Sequence, residues 1–164
     1  MITLPPLGRK RQQTLFDIGS IEGPLRLTIF LSDSDDLSVR LRSDRRPPVQ
    51  IAVGDLFEGV GPNQHVHIGA ELNIEDNRYI LSLYYQGRPV ASGHFEGHVA
   101  PKISGRVKYG EGLDGSHHVI SFHLALIWFW VRPLTDAERR ELWSDIKERV
   151  EKTLAKAGVP EDGG

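Results

Sequence analysis

Cysteine is absent from this chain of 164 residues. Its absence excludes disulfides, thiol nucleophiles, thiolate metal sites and redox pairs. The length is sufficient to bury a sizeable core without disulfide cross-links. We therefore expect one domain of ordinary size whose stability rests on packing.

Long apolar runs are also missing. The longest of them, Leu124 to Val131, is too short to span a bilayer. Residues 1–13 contain two prolines and a basic cluster where a signal peptide would have a continuous apolar segment. From this pattern we expect a cytoplasmic protein that does not associate with membranes.

Neither sign of charge dominates, since 20 Lys and Arg side chains stand against 22 Asp and Glu side chains. This balance does not favour a polyanion as the general partner. Two local basic groups remain, namely the N-terminal arm of residues 1–13 and a basic patch made of Arg40, Arg42, Arg45 and Arg46. The patch has no interleaved aromatic residues to stack bases, so nucleic acid is not an expected partner except through the arm.

Apolar and polar side chains alternate along most of the chain, which is the two-residue period of β-strands. Pro24 to Leu31 and Leu37 to Leu41 predict a hairpin with an acidic turn. Pro47 and Pro48 are expected to end this unit. Val49 to Phe57 then predicts a weaker strand pair, interrupted by a glycine.

A second hairpin is predicted between Gln64 to Glu75 and Arg78 to Tyr85, across a two-residue turn that tolerates positive φ. The opposite face of this hairpin carries His67 and Glu71. Every inward pair in the predicted register is apolar: Ile74 with Tyr79, Leu72 with Leu81, Ala70 with Leu83, and Ile68 with Tyr85.

The chain then turns at Gln86 and Gly87 into a strand over 89–99. Regular pairing across this turn would place His94 and His98 on the apolar side of the sheet, unless a bulge shifts the alternation. A further strand is predicted over 103–109, with inward side chains at Ile103, Val107 and Tyr109.

The longest predicted strand runs from Ser116 to Pro133. Its even-numbered side chains form one apolar face, and its last third is apolar on both faces. This wealth of apolar and aromatic groups predicts a ligand-binding or interface surface. The candidate residues for it are Phe122, Trp128, Trp130 and, from the helix that follows, Trp143.

A C-terminal helix is predicted over 135–157. Thr135 and Glu138 stand at capping-box spacing, and Gly158 follows the end of the helix. One apolar stripe runs along it, formed by Leu142, Trp143, Ile146, Val150 and Leu154. We expect the stripe to pack within the same molecule, on the doubly apolar end of the preceding strand.

These elements predict a mainly β fold. We expect an antiparallel β-barrel or sandwich, jelly-roll-like, of about eight or nine strands, with one C-terminal α-helix packed on the sheet. The expected organisation is a flexible basic arm over 1–13, a single domain over 14–158 and a disordered tail over 159–164.

Gly59, His65, His67 and Glu71 follow one another with the spacing of a glycine, five residues, His-x-His, three residues and a glutamate. This spacing resembles the first half of the metal-binding motif of the cupin family, whose double-stranded β-helix holds iron, manganese or another divalent metal. The resemblance implies that His65, His67 and Glu71 are metal ligands and that a third histidine comes from a later strand. Alternatively, the three are polar side chains on a solvated sheet face.

The sequence leaves two functions open. The favoured one is a non-enzymatic module that binds an apolar small ligand or serves as a building block of a homo-oligomer, for example a coat or particle protein. It is favoured because apolar and aromatic groups are plentiful while convergent catalytic groups are lacking. The alternative is a cupin-like, metal-dependent enzyme, and no cofactor is expected apart from that metal.

Overall fold

A computed structural model describes residues 2–3, 7–21, 25–43, 46–61, 64–76, 78–96, 106–117, 132 and 134–156. The predicted strand over 116–133 lies almost entirely outside these ranges, and so do Arg45, Phe122, Trp128 and Trp130. The strands are β1 (Ile2–Thr3), β2 (Gln13–Gly19), β3 (Leu25–Leu31), β4 (Leu37–Ser43), β5 (Arg46–Val53), β6 (His65–Val66), β7 (Ile68–Glu75), β8 (Arg78–Tyr85), β9 (Arg88–Glu96) and β10 (Arg106–Tyr109), and the helix is α1 (Asp136–Lys156).

The fold is mainly β, as predicted, and its two main sheets are antiparallel. One sheet has the order β10-β2-β3-β4-β5 and the other has the order β7-β8-β9, while β1 and β6 form a short separate pair. Apolar residues of both main sheets share one core, among them Leu15, Leu31, Leu37, Val39, Leu81 and Leu83, which are fully buried. No pairing between described strands joins the two main sheets, so they pack as a sandwich and are not closed into a barrel.

The β3–β4 hairpin has the register that its alternation predicts. Leu31 pairs with Leu37 and Ile29 pairs with Val39, and all of these side chains are buried. Cross-strand apolar pairs of this kind fix the register, because a slip by one residue would turn every one of them outward.

The expectation that Pro47 and Pro48 end this unit is wrong. Both prolines belong to β5, which pairs with β4 from Val53 back to Arg46. Among the described strands β5 is the last of its sheet, so on one side of it no described ladder requires a proline N–H. The strand contacts β9 of the other sheet, and a Cβ placed on Gly93 would lie 2.7 Å from Cγ2 of Ile51. Gly93 therefore allows the two sheets to approach closely there.

The β7–β8 register is also confirmed, from Ile68 opposite Tyr85 to Ile74 opposite Tyr79. The next pairing contains a bulge, since Tyr84 is opposite Pro89 whereas Leu83 is opposite Ala91. Val90 is the additional residue, and it reverses the alternation of everything that follows it in β9.

The bulge decides where His94 lies. It sets His94 opposite Ile80, on the face that carries Glu71 and Ser82, and the histidine is exposed. Regular pairing would have placed it on the apolar face. His98 lies beyond the described part of β9.

Of the strand predicted over 103–109, the described part is β10, Arg106–Tyr109, and Ile103 lies outside the described residues. Val107 pairs with Ile18 and Tyr109 pairs with Phe16, so both side chains are on the apolar face of the sheet, as expected. They are nonetheless 45% and 60% exposed, and among the described strands β10 lies at the edge of its sheet, where side chains are covered from fewer sides.

The capping box of α1 is confirmed. The N–H of Glu138 donates to Oγ1 of Thr135 at 3.2 Å, and the N–H of Thr135 donates to the Glu138 carboxylate at 2.8 Å. The described side chains of the apolar stripe are buried or partly buried, with Ile146 only 3% exposed.

The segment predicted as an arm makes several contacts with the sandwich. Ile2–Thr3 pairs with β6, and Gln13 is fully buried as the first residue of β2. Between them, the N–H of Gly8 donates to the carboxylate of Asp35 at the β3–β4 turn, at 2.5 Å.

Candidate functional site at the helix–sheet contact

Helix α1 packs on the face of the β7–β8 hairpin that is opposite to the core. This face was predicted to be polar, and α1 was predicted to pack on the end of the preceding strand instead. Five side chains form what we call the helix–sheet contact: His67, Glu71, Tyr84, Arg139 and Trp143. The prediction that α1 packs within the molecule is therefore correct, and the predicted contact with the end of the strand over 116–133 lies outside the described residues.

The first half of this contact is an aromatic stack. The His67 and Trp143 rings lie 5.3 Å apart between centroids, with an interplanar angle of 21°. Gly87 lies directly beneath the indole, because a Cβ added there would be 2.9 Å from Cβ of Trp143. Gly87 also has a φ of +75°, so the turn requires glycine both for its backbone conformation and for the approach of the helix.

The second half is centred on Arg139. Its guanidinium donates to the Glu71 carboxylate at 2.7 Å and to Asp136 at 2.6 Å. The guanidinium carbon also lies 4.5 Å from the centroid of the Tyr84 ring, a cation–π geometry. Because Glu71 and Arg139 are both largely covered, this ion pair is better shielded than an ordinary surface pair.

Electrostatics keep His67 neutral. Burial lowers the pKa of His67 from 6.5 to about 4, which corresponds to about 3 kcal/mol against the imidazolium. Stacking on an indole offsets part of this cost, since an indole face attracts a shielded cation by about 2 kcal/mol. Nδ1 of the imidazole is buried and has no hydrogen-bond partner among the described residues.

The three predicted metal ligands make other contacts in this structure. His65 belongs to the β1–β6 pair, His67 stacks on Trp143, and the Glu71 carboxylate accepts from Arg139. Within the described ranges, no group of three His, Asp or Glu side chains is placed to hold a metal ion. The donor set of the cupin resemblance thus does not fit the geometry, and no chemistry is derived from it.

The predicted basic patch is only partly described. Arg40 lies over the ring of Phe30, at 4.6 Å from its centroid, and donates to the side chain of Gln50 at 3.0 Å. Arg42 is exposed, and Arg46 is described only by its backbone. Arg40 therefore packs along its own sheet.

Sequence reasoning missed a buried polar cluster on the five-stranded sheet. Asp17 is fully buried, and its carboxylate accepts from Nε of Arg26 at 2.9 and 3.0 Å, from Oγ1 of Thr28 at 3.1 Å and from the N–H of Leu113 at 2.8 Å. The hydrogen bonds that Arg26 donates to Asp17 raise the pKa of Arg26. The signal in the sequence was an aspartate within an otherwise apolar strand, with an arginine on the next strand. We assign this cluster to stability, because it joins the loop after β10 to the sheet.

Arg26 also reaches the carboxylate of Asp114, at 3.4 Å. Asp114 accepts from the hydroxyl and the N–H of Ser116, and this hydroxyl bond is the main cause that lowers the pKa of Asp114 to about 2. Asp114 is therefore ionised at neutral pH, where its carboxylate pairs with Arg26.

Comparisons with known proteins leave the chain without a family. No family model matches the sequence, and no curated protein matches it. The chain is similar to a crystal structure of an S-layer domain-containing protein (residues 221–444) from Clostridium thermocellum, with 13% sequence identity and a TM-score of 0.34. The match covers 85% of this chain and 66% of that one.

The cytoplasmic location predicted from the sequence is corrected by this comparison. An S-layer is a component of the cell surface, so the match contradicts the prediction, and we withdraw it. A similarity at this TM-score assigns neither a location nor a function in its place. Within the described ranges, no helix combines the length and the apolar character that a membrane crossing needs.

Proposed function

We propose that this protein is a non-enzymatic β-sandwich module that self-associates through strand β10 and serves as a building block of a homo-oligomer. The observation that supports this proposal is the exposure of Val107 and Tyr109 on the apolar face of an edge strand, at 45% and 60%. Exposed apolar groups along an edge strand favour pairing with another chain.

The two edges of the five-stranded sheet differ in a way that supports this choice. At one edge, β5 carries the consecutive prolines Pro47 and Pro48, which protect an edge against added strands. At the other edge, β10 has no proline, and among the described strands only β2 pairs with it. Edge pairing is thus discouraged on one side only.

The apolar pattern of β10 favours a second copy of this chain as the occupant. Two copies of β10 can pair antiparallel about a two-fold axis through Lys108. By residue count, this register sets Val107 of one copy opposite Tyr109 of the other, twice, on the apolar face. An isologous interface of this kind is the commonest form of homodimer, and each Lys108 at its centre is paired with Glu111 of its own copy at 2.7 Å.

The test is native mass spectrometry with size-exclusion chromatography on the full chain over a range of concentrations. We expect a dimer or larger oligomer, and we expect Tyr109→Lys to weaken the association at least about tenfold. Ile21→Lys is the matched control, because Ile21 is 49% exposed and lies outside β10; it should leave the oligomer intact.

Three results would contradict the proposal: a monomer at every concentration, a monomer that retains an apolar small molecule, or an oligomer that both variants weaken equally. The second of these would support ligand carriage instead.

A further inference from the structure

We propose that the stack of His67 on Trp143 is an acid-sensitive contact, which releases helix α1 from the β7–β8 hairpin when the imidazole is protonated. The inference is independent of self-association, because α1 contacts the β7–β8 hairpin whereas β10 belongs to the other main sheet. It begins from the geometry of the stack.

Protonation would turn both ring nitrogens of His67 into donors. Nδ1 is already buried without a hydrogen-bond partner among the described residues, so a proton there would find no acceptor. The imidazole is held flat against the indole at 5.3 Å, and it cannot turn toward solvent without separating from the helix. Protonation and docking of α1 therefore oppose each other.

The charged groups around the stack do not compensate an imidazolium. On α1, Arg139 lies one turn before Trp143 and Lys147 lies one turn after it, and both are cations. On β7, the Glu71 carboxylate is bound by Arg139. Strand β8 contributes Tyr84 and Tyr85, whose pKa values are raised by burial, so both are neutral in acid.

Gln86, in the turn that follows β8, completes the described surroundings of the stack. It is uncharged, and its side-chain oxygen accepts from the N–H of His67 at 3.3 Å. Of the neighbours named here, only Glu71 is an anion, and Arg139 already binds its carboxylate. Burial is therefore the main cause that disfavours the protonated form of His67.

The direction with pH follows from the linkage of protonation and docking. Released His67 has an ordinary pKa of 6.5, whereas docked His67 has a pKa of about 4. Docking is therefore strongest above pH 6.5, weakens as the pH falls toward 4, and does not weaken further below that pH. The difference between the two pKa values corresponds to a decrease on the order of 100-fold in the equilibrium constant for docking of α1.

Hydrogen exchange of the full chain, measured by mass spectrometry between pH 7 and pH 4 and corrected for intrinsic exchange rates, tests the proposal. We expect protection of α1 to fall by at least about tenfold across this range, while protection of the β3–β4 hairpin is retained. His67→Phe keeps an aromatic ring against Trp143 but cannot titrate, and we expect protection of its α1 to be independent of pH.

His94→Phe is the matched control, because His94 is an exposed histidine on the same face of the same sheet. It should behave as the unmodified protein does. If His67→Phe loses protection of α1 in acid to the same extent, or if the unmodified protein loses none, the proposal is wrong.

A second measurement covers the case in which His67→Phe does not fold. The imidazole of His67 can be titrated directly by nuclear magnetic resonance in the unmodified protein. A midpoint well below 6.5 that coincides with the loss of α1 protection supports the proposal, and an ordinary midpoint overturns it.

Discussion

Arg26→Met is expected to lower the free energy of unfolding by about 3–5 kcal/mol, because it leaves the fully buried carboxylate of Asp17 without its cation. The methionine fills much of the space of the arginine stem, so most of the loss comes from the unpaired charge. Thr28 and Leu113 still donate to the carboxylate, but two neutral donors do not replace a guanidinium. Urea denaturation at pH 7, followed by circular dichroism, measures the change.

Arg42→Met is the matched control for this prediction. Arg42 is directly opposite Arg26 in the β3–β4 register, but it is exposed, and its replacement should change stability by less than about 0.5 kcal/mol. The double variant Asp17→Leu with Arg26→Met removes both charges, and it should recover most of the lost stability. If Arg26→Met alone is as stable as the unmodified protein, the assignment of this cluster to stability is incorrect.

Trp143→Ala is expected to have the second-largest effect, a loss of about 2–3 kcal/mol. Replacing a fully buried tryptophan costs about 3–5 kcal/mol, and Trp143 is only half-buried. The variant removes the stack with His67, so hydrogen exchange of α1 should become faster while that of β3 and β4 remains slow. Ser144→Ala, an exposed position on the same turn of the helix, should leave both measurements unchanged.

A double-mutant cycle measures the coupling between Gly87 and the indole of Trp143. In the unmodified protein, a Cβ at position 87 meets Cβ, Cγ and Cδ1 of Trp143 at 2.9, 3.0 and 3.2 Å, and Gly87→Ala is also strained by a φ of +75°. In the Trp143→Ala background the contacts with Cγ and Cδ1 are gone, while the contact with Cβ and the backbone strain remain, so Gly87→Ala should cost less there. Equal costs in both backgrounds would show that Gly87 does not interact with the indole.

Local patterns predicted the parts of the fold in which every nearby residue agrees. The β7–β8 register followed from apolar pairs such as Ile68 with Tyr85, joined by a turn of matching length. The start of α1 followed from the reciprocal spacing of Thr135 and Glu138. In both cases the forces that decide the structure act between residues that are close in sequence.

Features that depend on distant residues were not predictable in the same way. Pro47 and Pro48 are compatible with a strand only because β5 is at an edge of its sheet, and edge position is a property of the whole topology. The bulge at Val90 was considered only as a possible departure from regular pairing, which would move His94 to the other face. Nothing in the local sequence distinguishes that exception from regular pairing.

The helix–sheet contact was predictable in its members but not in their arrangement. His67 and Glu71 were identified as a pair of functional interest on one face, and Trp143 as an interface residue. When they are considered alone, polar side chains on a sheet face indicate that this face is exposed to solvent. Here they contact a helix instead, because Arg139 neutralises Glu71 and Trp143 covers His67. Recognising this requires the position of a helix that is about seventy residues away in the chain, as the separation of 68 residues between Glu71 and Arg139 shows.

The bulge at Val90 makes the pairing of this segment as important as its composition. Ala91, Gly93 and Phe95 face the core only because one additional residue is left out of the ladder before them in β9. Closing the bulge with every residue present would set Val90 opposite Leu83 and exchange the two faces of the strand, burying His94 and exposing Phe95. Deleting Val90 would instead leave Ala91 opposite Leu83 in a regular ladder, so both side chains would keep their faces. Natural variation in this segment should therefore tolerate the loss of this one residue.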